Sequence, residues 1–268
     1  MTPTTIALAG KGGVGKTTIA AMVVKYLSET QSGSILAIDA DPSSNLNMVL
    51  GLDLEWTVGD IREDMLSKVK DSLLAGGAAM GALPGGLNKH DHLNYEIRSA
   101  LSEGHNVDLI AMGRSEGPGC YCAVNHNLRE VIDAIGKKYQ YTVIDNEAGI
   151  EHLSRRTTRD VDHLLIVSDP TQRGIYAAQR IMQFTGELDI KIDQASLILN
   201  RVPDKIPDAL QELVEKLEIP LLGMVPQDKN VAAYDLSGEP LVNLKNDSPV
   251  YQAVAKLMEK VLSSQPAA

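Results

Sequence analysis

The feature that most constrains this chain is a glycine-rich segment near its start, residues 10–18, with the sequence GKGGVGKTT. It matches G-x-x-x-x-G-K-[ST], a loop whose backbone N–H groups surround phosphates at a helix N-terminus. An apolar run with β-branched residues at 4–9 precedes the segment, and an amphipathic stretch at 17–29 follows it. This strand–loop–helix context predicts a nucleoside triphosphate site rather than a glycine-rich turn without a ligand.

Each part of the loop has an expected task. We expect Lys16 to reach the β- and γ-phosphates and the Thr17 hydroxyl to bind Mg²⁺. Lys11 is a further cation that the loop does not need for the phosphates of its own chain, and the residues alone leave open that it is a solvated loop lysine. The residues expected to contact the phosphates are Gly12, Gly13, Val14, Gly15, Lys16, Thr17 and Thr18.

Short apolar runs alternate with stretches of helical periodicity along the rest of the chain. This alternation predicts right-handed βαβ crossovers, and therefore an α/β fold with a doubly wound, mostly parallel sheet flanked by helices. We expect a single P-loop domain over 1–268, with an irregular excursion containing helical pieces at 68–104. The predicted strands are 4–9, 34–39, 107–112, 141–145, 163–168, 195–200 and 219–225, and the predicted helices are 17–29, 124–137, 173–186, 207–216 and 249–262.

Composition excludes several classes of partner. The chain has 268 residues, is 44% hydrophobic and carries a net charge of −10, without a block rich in lysine or arginine. Nucleic acid is therefore not an expected partner. No apolar run approaches the roughly 20 residues of a membrane span, and the N-terminus lacks the pattern of a signal peptide. We expect a cytoplasmic protein that does not bind membranes.

Carboxylates follow two further predicted strands. Asp39 and Asp41 lie at the end of the strand 34–39, and Asp145 ends the strand 141–145, four residues before Gly149. Because ligands bind at the carboxyl ends of strands in open α/β sheets, we expect these residues beside the phosphate loop. Asp145 is expected to hold a Mg²⁺-bound water, and the Gly149 backbone to sense the γ-phosphate. Without the loop, these aspartates would indicate only strand-end turns.

The chain has only two cysteines, Cys120 and Cys122, in a C-x-C segment that follows glycines and a proline. A disulfide across this spacing is strained, and paired thiolates are good ligands for Zn²⁺, Ni²⁺ or Cu⁺. A closed tetrahedral site needs four ligands, which a symmetric dimer with the motif on its axis would supply. A redox pair and an accidental doublet remain alternatives, and His126 is a further candidate ligand.

Four segments together resemble the CooC family, the accessory ATPases that assist nickel insertion into carbon monoxide dehydrogenase. They are GKGGVGKTT, DADPSSNL, MGRSEGPGCYC and VIDNEAG. The family lies within the MinD/nitrogenase-iron-protein class of deviant Walker A ATPases. The phosphate loop indicates only this wider class, whereas the C-x-C segment after Met-Gly-Arg indicates the narrower family.

The resemblance implies roles for individual residues. Lys11 would cross a dimer interface to the partner's nucleotide, and Asp41 would position the attacking water, so that Lys11, Lys16 and Asp41 form the catalytic set. Asp39 would support Mg²⁺ through water. The residues implied around adenine are Asn200, Arg201, Pro226 and Asp228. The guanine-specific N-K-x-D motif is absent from the sequence, which favours ATP over GTP.

The function implied is that of a homodimer that hydrolyses ATP with Mg²⁺ and assists nickel insertion into carbon monoxide dehydrogenase. Cys120 and Cys122 would hold Ni²⁺ or Zn²⁺ across the dimer. Alternatives are a maturation factor for acetyl-CoA synthase, which shares these motifs, and a non-catalytic metal carrier whose dimer the nucleotide locks. An ATPase of the partitioning type fits the acidic charge and the C-x-C motif poorly.

Overall fold

The computed structural model describes residues 3–74, 89–114, 130–149, 160–186, 191–203 and 206–263. Its described strands are β1 (Thr4–Gly10), β2 (Ile35–Asp39), β3 (Ser102–Glu103), β4 (Val107–Ala111), β5 (Tyr141–Asp145), β6 (Asp160–Ser168), β7 (Lys191–Val202) and β8 (Leu221–Pro226). They form one sheet in the order β3-β4-β2-β5-β1-β6-β7-β8. Neighbouring strands pair in parallel, except that β3 is antiparallel to β4.

Helices occupy much of the remaining described chain. They are α1 (Lys16–Thr30), α2 (Leu46–Leu50), α3 (Val58–Leu74), α4 (Lys89–Ser99), α5 (130–136), α6 (Gln172–Thr185), α7 (Asp208–Glu215), α8 (Lys229–Ser237) and α9 (Pro249–Ser263), with a 3₁₀ turn at Leu241–Asn243. Across the described ranges, none of these helices is long and apolar enough to cross a membrane.

Helices bury both faces of the central part of the sheet, which explains why the buried segments of its strands are mostly apolar. Successive side chains point to opposite faces, so Ile6 and Leu8 enter one core while Ala7 and Ala9 enter the other. The first core contains apolar residues of α1 and α9, and the second contains those of α3, α5 and α6. Helices therefore cover the sheet on both sides.

The strand order brings the carboxyl ends of three strands together. β5 lies between β2 and β1, and Asp145 is in register with both Asp39 and Leu8. The phosphate loop begins two residues after Leu8, at Gly10, where β1 ends. The two strand-end aspartates and the loop consequently lie side by side at one edge of the sheet.

The α/β fold with a mostly parallel sheet is confirmed, and each of the seven predicted strands overlaps a strand of the structure. The excursion predicted at 68–104 contains the end of α3, α4 and β3, with 75–88 outside the described residues. Helix α3 was not predicted, although buried Val58, Ile61 and Met65 follow a helical spacing that indicates it. The single-domain assignment stays a prediction.

Candidate functional site

The phosphate loop connects β1 to α1 in the conformation that its glycines permit. Gly13 and Gly15 have φ angles of 78° and 91°, in the left-handed region that favours glycine. No side chain caps the N-terminus of α1, so its first N–H groups keep their hydrogen-bonding capacity. A Cβ atom added to Gly13 would meet nothing within 4 Å, because the loop is open at this point. The loop can therefore surround an anion with backbone donors.

Lys16, the first residue of α1, is a buried cation among carboxylates. Its side chain is 8% exposed, and burial lowers the pKa of its ammonium group, an effect that Asp145, Asp41 and Glu147 oppose. Its Nζ donates to the carbonyl oxygen of Lys11 at 3.4 Å, a long hydrogen bond. The ammonium group is thus held within the loop. A bound phosphate there would favour the protonated form of Lys16, which burial disfavours.

Asp145, at the end of β5, is a buried carboxyl with unused acceptor capacity. It is 2% exposed, and burial raises its pKa to about 7, although a hydrogen bond from Thr17 and the charge of Lys16 act in the opposite direction. Its Oδ1 has no hydrogen-bond partner among the described residues. A buried carboxylate oxygen beside a hydroxyl is a donor set that suits a hard divalent cation such as Mg²⁺. These residues fit the metal that the loop motif implies.

Asp39 shapes the turn that carries Asp41. Asp39 Oδ1 accepts from the backbone N–H of Asp41 at 3.0 Å, and Oδ2 accepts from that of Leu46 at 2.8 Å. Burial raises the pKa of Asp39 to about 6. Asp41 is half-buried and accepts hydrogen bonds from the backbone N–H and the hydroxyl of Ser43. The structure thus places both carboxyls at the site, and the water-mediated Mg²⁺ role of Asp39 stays a prediction.

The segment after β5 is joined to β1 through two residues, Asn146 and Gly149. The Gly149 N–H donates to the carbonyl oxygen of Gly10 at 3.1 Å, with Gly149 at a φ of 100°. The Asn146 side chain donates through Nδ2 to the carbonyl oxygen of Leu8 at 2.8 Å. Asn146 is not among the residues predicted for the site, although its position directly after the strand-end Asp145 could have identified it. These contacts hold the predicted second switch against the phosphate loop.

Two of the residues implied around adenine donate hydrogen bonds to the phosphate loop. Asn200 Nδ2 donates to the Val14 carbonyl at 2.8 Å, and Arg201 Nη1 donates to the Gly13 carbonyl at 2.9 Å. Asn200 is 4% exposed, whereas Arg201 is exposed. Both residues therefore lie at the loop, and their contact with a base stays a prediction.

The other two residues implied around adenine lie at the end of β8. Pro226 is the last residue of the strand, and Asp228 caps α8 by accepting from the Asn230 N–H at 2.8 Å. The second oxygen of Asp228 accepts from the Ser248 hydroxyl at 2.6 Å. Both oxygens of Asp228 thus have protein partners that fix the turn, and its role at adenine stays a prediction.

These contacts do not test the predicted role of Lys11 at a dimer interface or the predicted metal site. Lys11 is exposed, as a residue that contacts a second chain must be before association. Cys120, Cys122 and His126 lie outside the described residues, so the shared metal site stays a prediction from sequence.

The chain is similar to known proteins over most of its length. Residues 5–241 match the family model of the CobQ/CobB/MinD/ParA nucleotide binding domain. An uncharacterized ATP-binding protein of Methanocaldococcus jannaschii is 41% identical over 97% of this chain and 99% of its own. The carbon monoxide dehydrogenase accessory protein CooC of Rhodospirillum rubrum is 30% identical over 97% of this chain and 98% of its own.

A solved structure has the same fold. The septum site-determining protein MinD of Pyrococcus horikoshii, in complex with Mg-ADP, aligns with a TM-score of 0.67 at 25% identity, over 98% of each chain. The match to the family model covers the phosphate loop and every strand described above, apart from Thr4 at the start of β1. The chain therefore belongs to the CobQ/CobB/MinD/ParA family of P-loop nucleotide-binding proteins.

Proposed function

We propose that this protein binds ATP with Mg²⁺ and hydrolyses it. The observation that carries the proposal is the position of the Lys16 ammonium group between the phosphate loop and the charges of Asp145, Asp41 and Glu147. In this position the positive charge of Lys16 can neutralise part of the phosphate charge. The neighbouring carboxylates stabilise the same positive charge when no phosphate is bound. The Mg-ADP complex of the MinD relative supports the same ligand class.

Thr17 and Asp145 would hold Mg²⁺, through the Thr17 hydroxyl and through a water on the carboxylate. The metal would supply charge neutralisation at the phosphates and would keep the buried Asp145 in its ionised form. The carboxylate oxygen of Asp145 that has no described partner supports this assignment.

Asp41 would orient the attacking water, because it is a half-buried carboxylate on a turn that Asp39 holds in place. Lys11 would complete the site of a second copy of the chain, since its side chain is exposed at the rim of the loop. Nucleotide would then stabilise a homodimer, and hydrolysis would release it.

We further propose that this cycle assists nickel insertion into carbon monoxide dehydrogenase, in a reducing compartment such as the cytoplasm. The support is the C-x-C motif at Cys120 and Cys122 together with the similarity to CooC over nearly the whole chain. Two thiolates from each protomer would form a four-sulfur site for Ni²⁺ or Zn²⁺ on the dimer axis.

The test has a binding arm and a client arm. Zn²⁺ or Ni²⁺ is titrated into reduced apoprotein while mass and bound metal are followed together. We expect about one metal per dimer and dimer formation without nucleotide, both lost in Cys120→Ala and Cys122→Ala. One tight metal per monomer without association contradicts the shared site and favours additional ligands such as His126.

In the client arm, carbon monoxide dehydrogenase apoenzyme receives nickel and ATP with wild-type protein, Lys16→Ala or Cys120→Ala. The proposal is supported if wild-type protein activates the enzyme and neither variant does. If the protein activates acetyl-CoA synthase and does not activate carbon monoxide dehydrogenase, the alternative client is indicated. Bound metal with negligible ATP turnover indicates the metal carrier.

A further inference from the structure

Two neighbouring residues of β7 contact two neighbouring carbonyls of the phosphate loop. Asn200 bonds to the Val14 carbonyl and Arg201 to the Gly13 carbonyl, at 2.8 and 2.9 Å. β6 separates β7 from β1 in the sheet, and the contacts span 186 and 188 residues of sequence. The end of β7 is therefore attached to the loop by tertiary structure alone.

A regular strand could not direct both side chains to one loop, because consecutive side chains point to opposite faces. The pairing of β7 with β8 is irregular between Leu199 and Val202, where β7 contains one extra residue. Arg201 has a φ of 57°, in the left-handed region that residues with a Cβ seldom adopt. A bulge combined with such a residue redirects a side chain, as bulges near functional sites often do.

The loop, in turn, has the shape that admits Asn200. A Cβ atom added to Gly15 would collide with the Nδ2 atom of Asn200. The buried amide of Asn200 thus occupies space that only a glycine at this position leaves. A strained backbone such as that of Arg201 persists where surrounding contacts hold it, and these contacts are with the loop.

The contacts have a direct consequence for the loop's donors. In a trans peptide, the carbonyl of one residue and the N–H of the next point in opposite directions. Holding the carbonyls of Gly13 and Val14 toward β7 therefore turns the N–H groups of Val14 and Gly15 away from β7. It also prevents these carbonyl oxygens from turning toward an anion.

We infer that Asn200 and Arg201 are positioning residues that hold the Gly13 and Val14 carbonyls, so that the loop presents its N–H groups to the phosphates. Their contribution is therefore independent of the base. The inference deepens the proposed nucleotide binding and rests on it.

The test compares Asn200→Ala and Arg201→Gly with wild type. Glycine at 201 accepts the positive φ, so this variant removes the side-chain bond without adding backbone strain. Dissociation constants are measured by calorimetry for MgATP, MgGTP and magnesium tripolyphosphate, which has no base. We expect each variant to weaken tripolyphosphate and both nucleotides by the same factor, about 5- to 10-fold, as for loss of one hydrogen bond.

Three further variants or measurements separate positioning from general damage. Arg201→Lys keeps a donor and should recover part of the lost affinity. Arg180→Ala removes an exposed charge from α6 and should bind all three ligands as wild type does. Circular dichroism checks that each variant is folded at the temperature of measurement. A substitution that lowers only the stability of the fold would leave the affinity of the folded protein unchanged.

Loss confined to MgATP, with tripolyphosphate bound as tightly as by wild type, would overturn the inference and make Asn200 a base contact. Unchanged affinity for all three ligands would also overturn it. If wild type binds none of them, the proposed function fails. In that case, hydrogen exchange of the amides of residues 13–16 in the apoprotein tests whether Asn200 holds the loop. Faster exchange in Asn200→Ala supports the inference, and unchanged exchange overturns it.

Discussion

The Gly149 N–H donates a hydrogen bond of 3.1 Å to the carbonyl oxygen of Gly10, and this bond joins the segment after β5 to the start of the phosphate loop. Gly149 has a φ of 100°, and a Cβ atom there would meet no atom within 4 Å. Space is therefore available for a side chain, and only the backbone angle requires glycine. The bond therefore links the predicted second switch directly to the phosphate loop.

Gly149→Ala tests this backbone requirement. We expect turnover to fall and the free energy of unfolding to drop by about 1–3 kcal/mol, because alanine is strained at this angle. Gly136→Ala is the matched control, since Gly136 is in helix α5 and a Cβ there meets only ordinary contacts. Urea unfolding and steady-state turnover measure both variants. Equal effects of the two substitutions would contradict the special role of Gly149.

Lys16→Ala and Lys11→Ala should separate two cationic roles. Lys16→Ala should weaken MgATP binding roughly 10- to 100-fold, because a charged hydrogen-bond donor to the phosphates is lost. Lys11→Ala should leave ATP affinity largely intact while reducing nucleotide-driven dimerisation and turnover. Calorimetry and light scattering measure the two properties. An equal loss of ATP affinity in both variants would argue against a lysine that crosses the dimer interface.

Asp41→Ala should bind MgATP and dimerise. It should hydrolyse ATP about 100-fold more slowly than wild type, because the group that orients the attacking water is missing. Single-turnover hydrolysis and binding are measured on the same preparation. Ser43→Ala is the control for the turn, since it removes the hydroxyl partner of Asp41 and keeps the carboxylate. Wild-type turnover of Asp41→Ala would direct attention to Asp39 or Glu147.

The stability of the apoprotein should depend on the ionisation of Asp145. Burial raises its pKa from an ordinary value of 3.8 to about 7, so within this pH window the folded state binds a proton that the unfolded state has lost. Its contribution to stability therefore falls as pH rises through the window, and is lowest above pH 7. Asp39, with a pKa raised to about 6, acts in the same direction.

Asp145→Asn cannot ionise and should gain stability relative to wild type as pH rises from 5 to 7, by up to about tenfold in the folding constant per pH unit. Urea unfolding at several pH values measures the difference between the two proteins. A constant difference across this range would show that the carboxyl does not titrate in it.

The site could be predicted only as far as its chemistry is local in sequence. Residues 10–18 specify a strand end, a turn that needs glycine and a helix start, and the structure has all three. The apolar runs likewise predicted seven strands, because strand segments that are buried on both faces are mostly apolar. By contrast, α2 is short and α8 buries no residue, so hydrophobic periodicity gives little signal for either.

What the sequence by itself determined is the fold class, the phosphate loop and the set of carboxylates at strand ends, since each follows from neighbouring residues and the period of a strand or helix. Only the tertiary structure decided which strand ends meet. The order β2-β5-β1 brings Asp39, Asp145 and the loop together, and a bulge in β7 turns Asn200 and Arg201 toward the loop. Register, burial and long-range hydrogen bonds depend on residues far apart in the chain, and no local pattern encodes their distances.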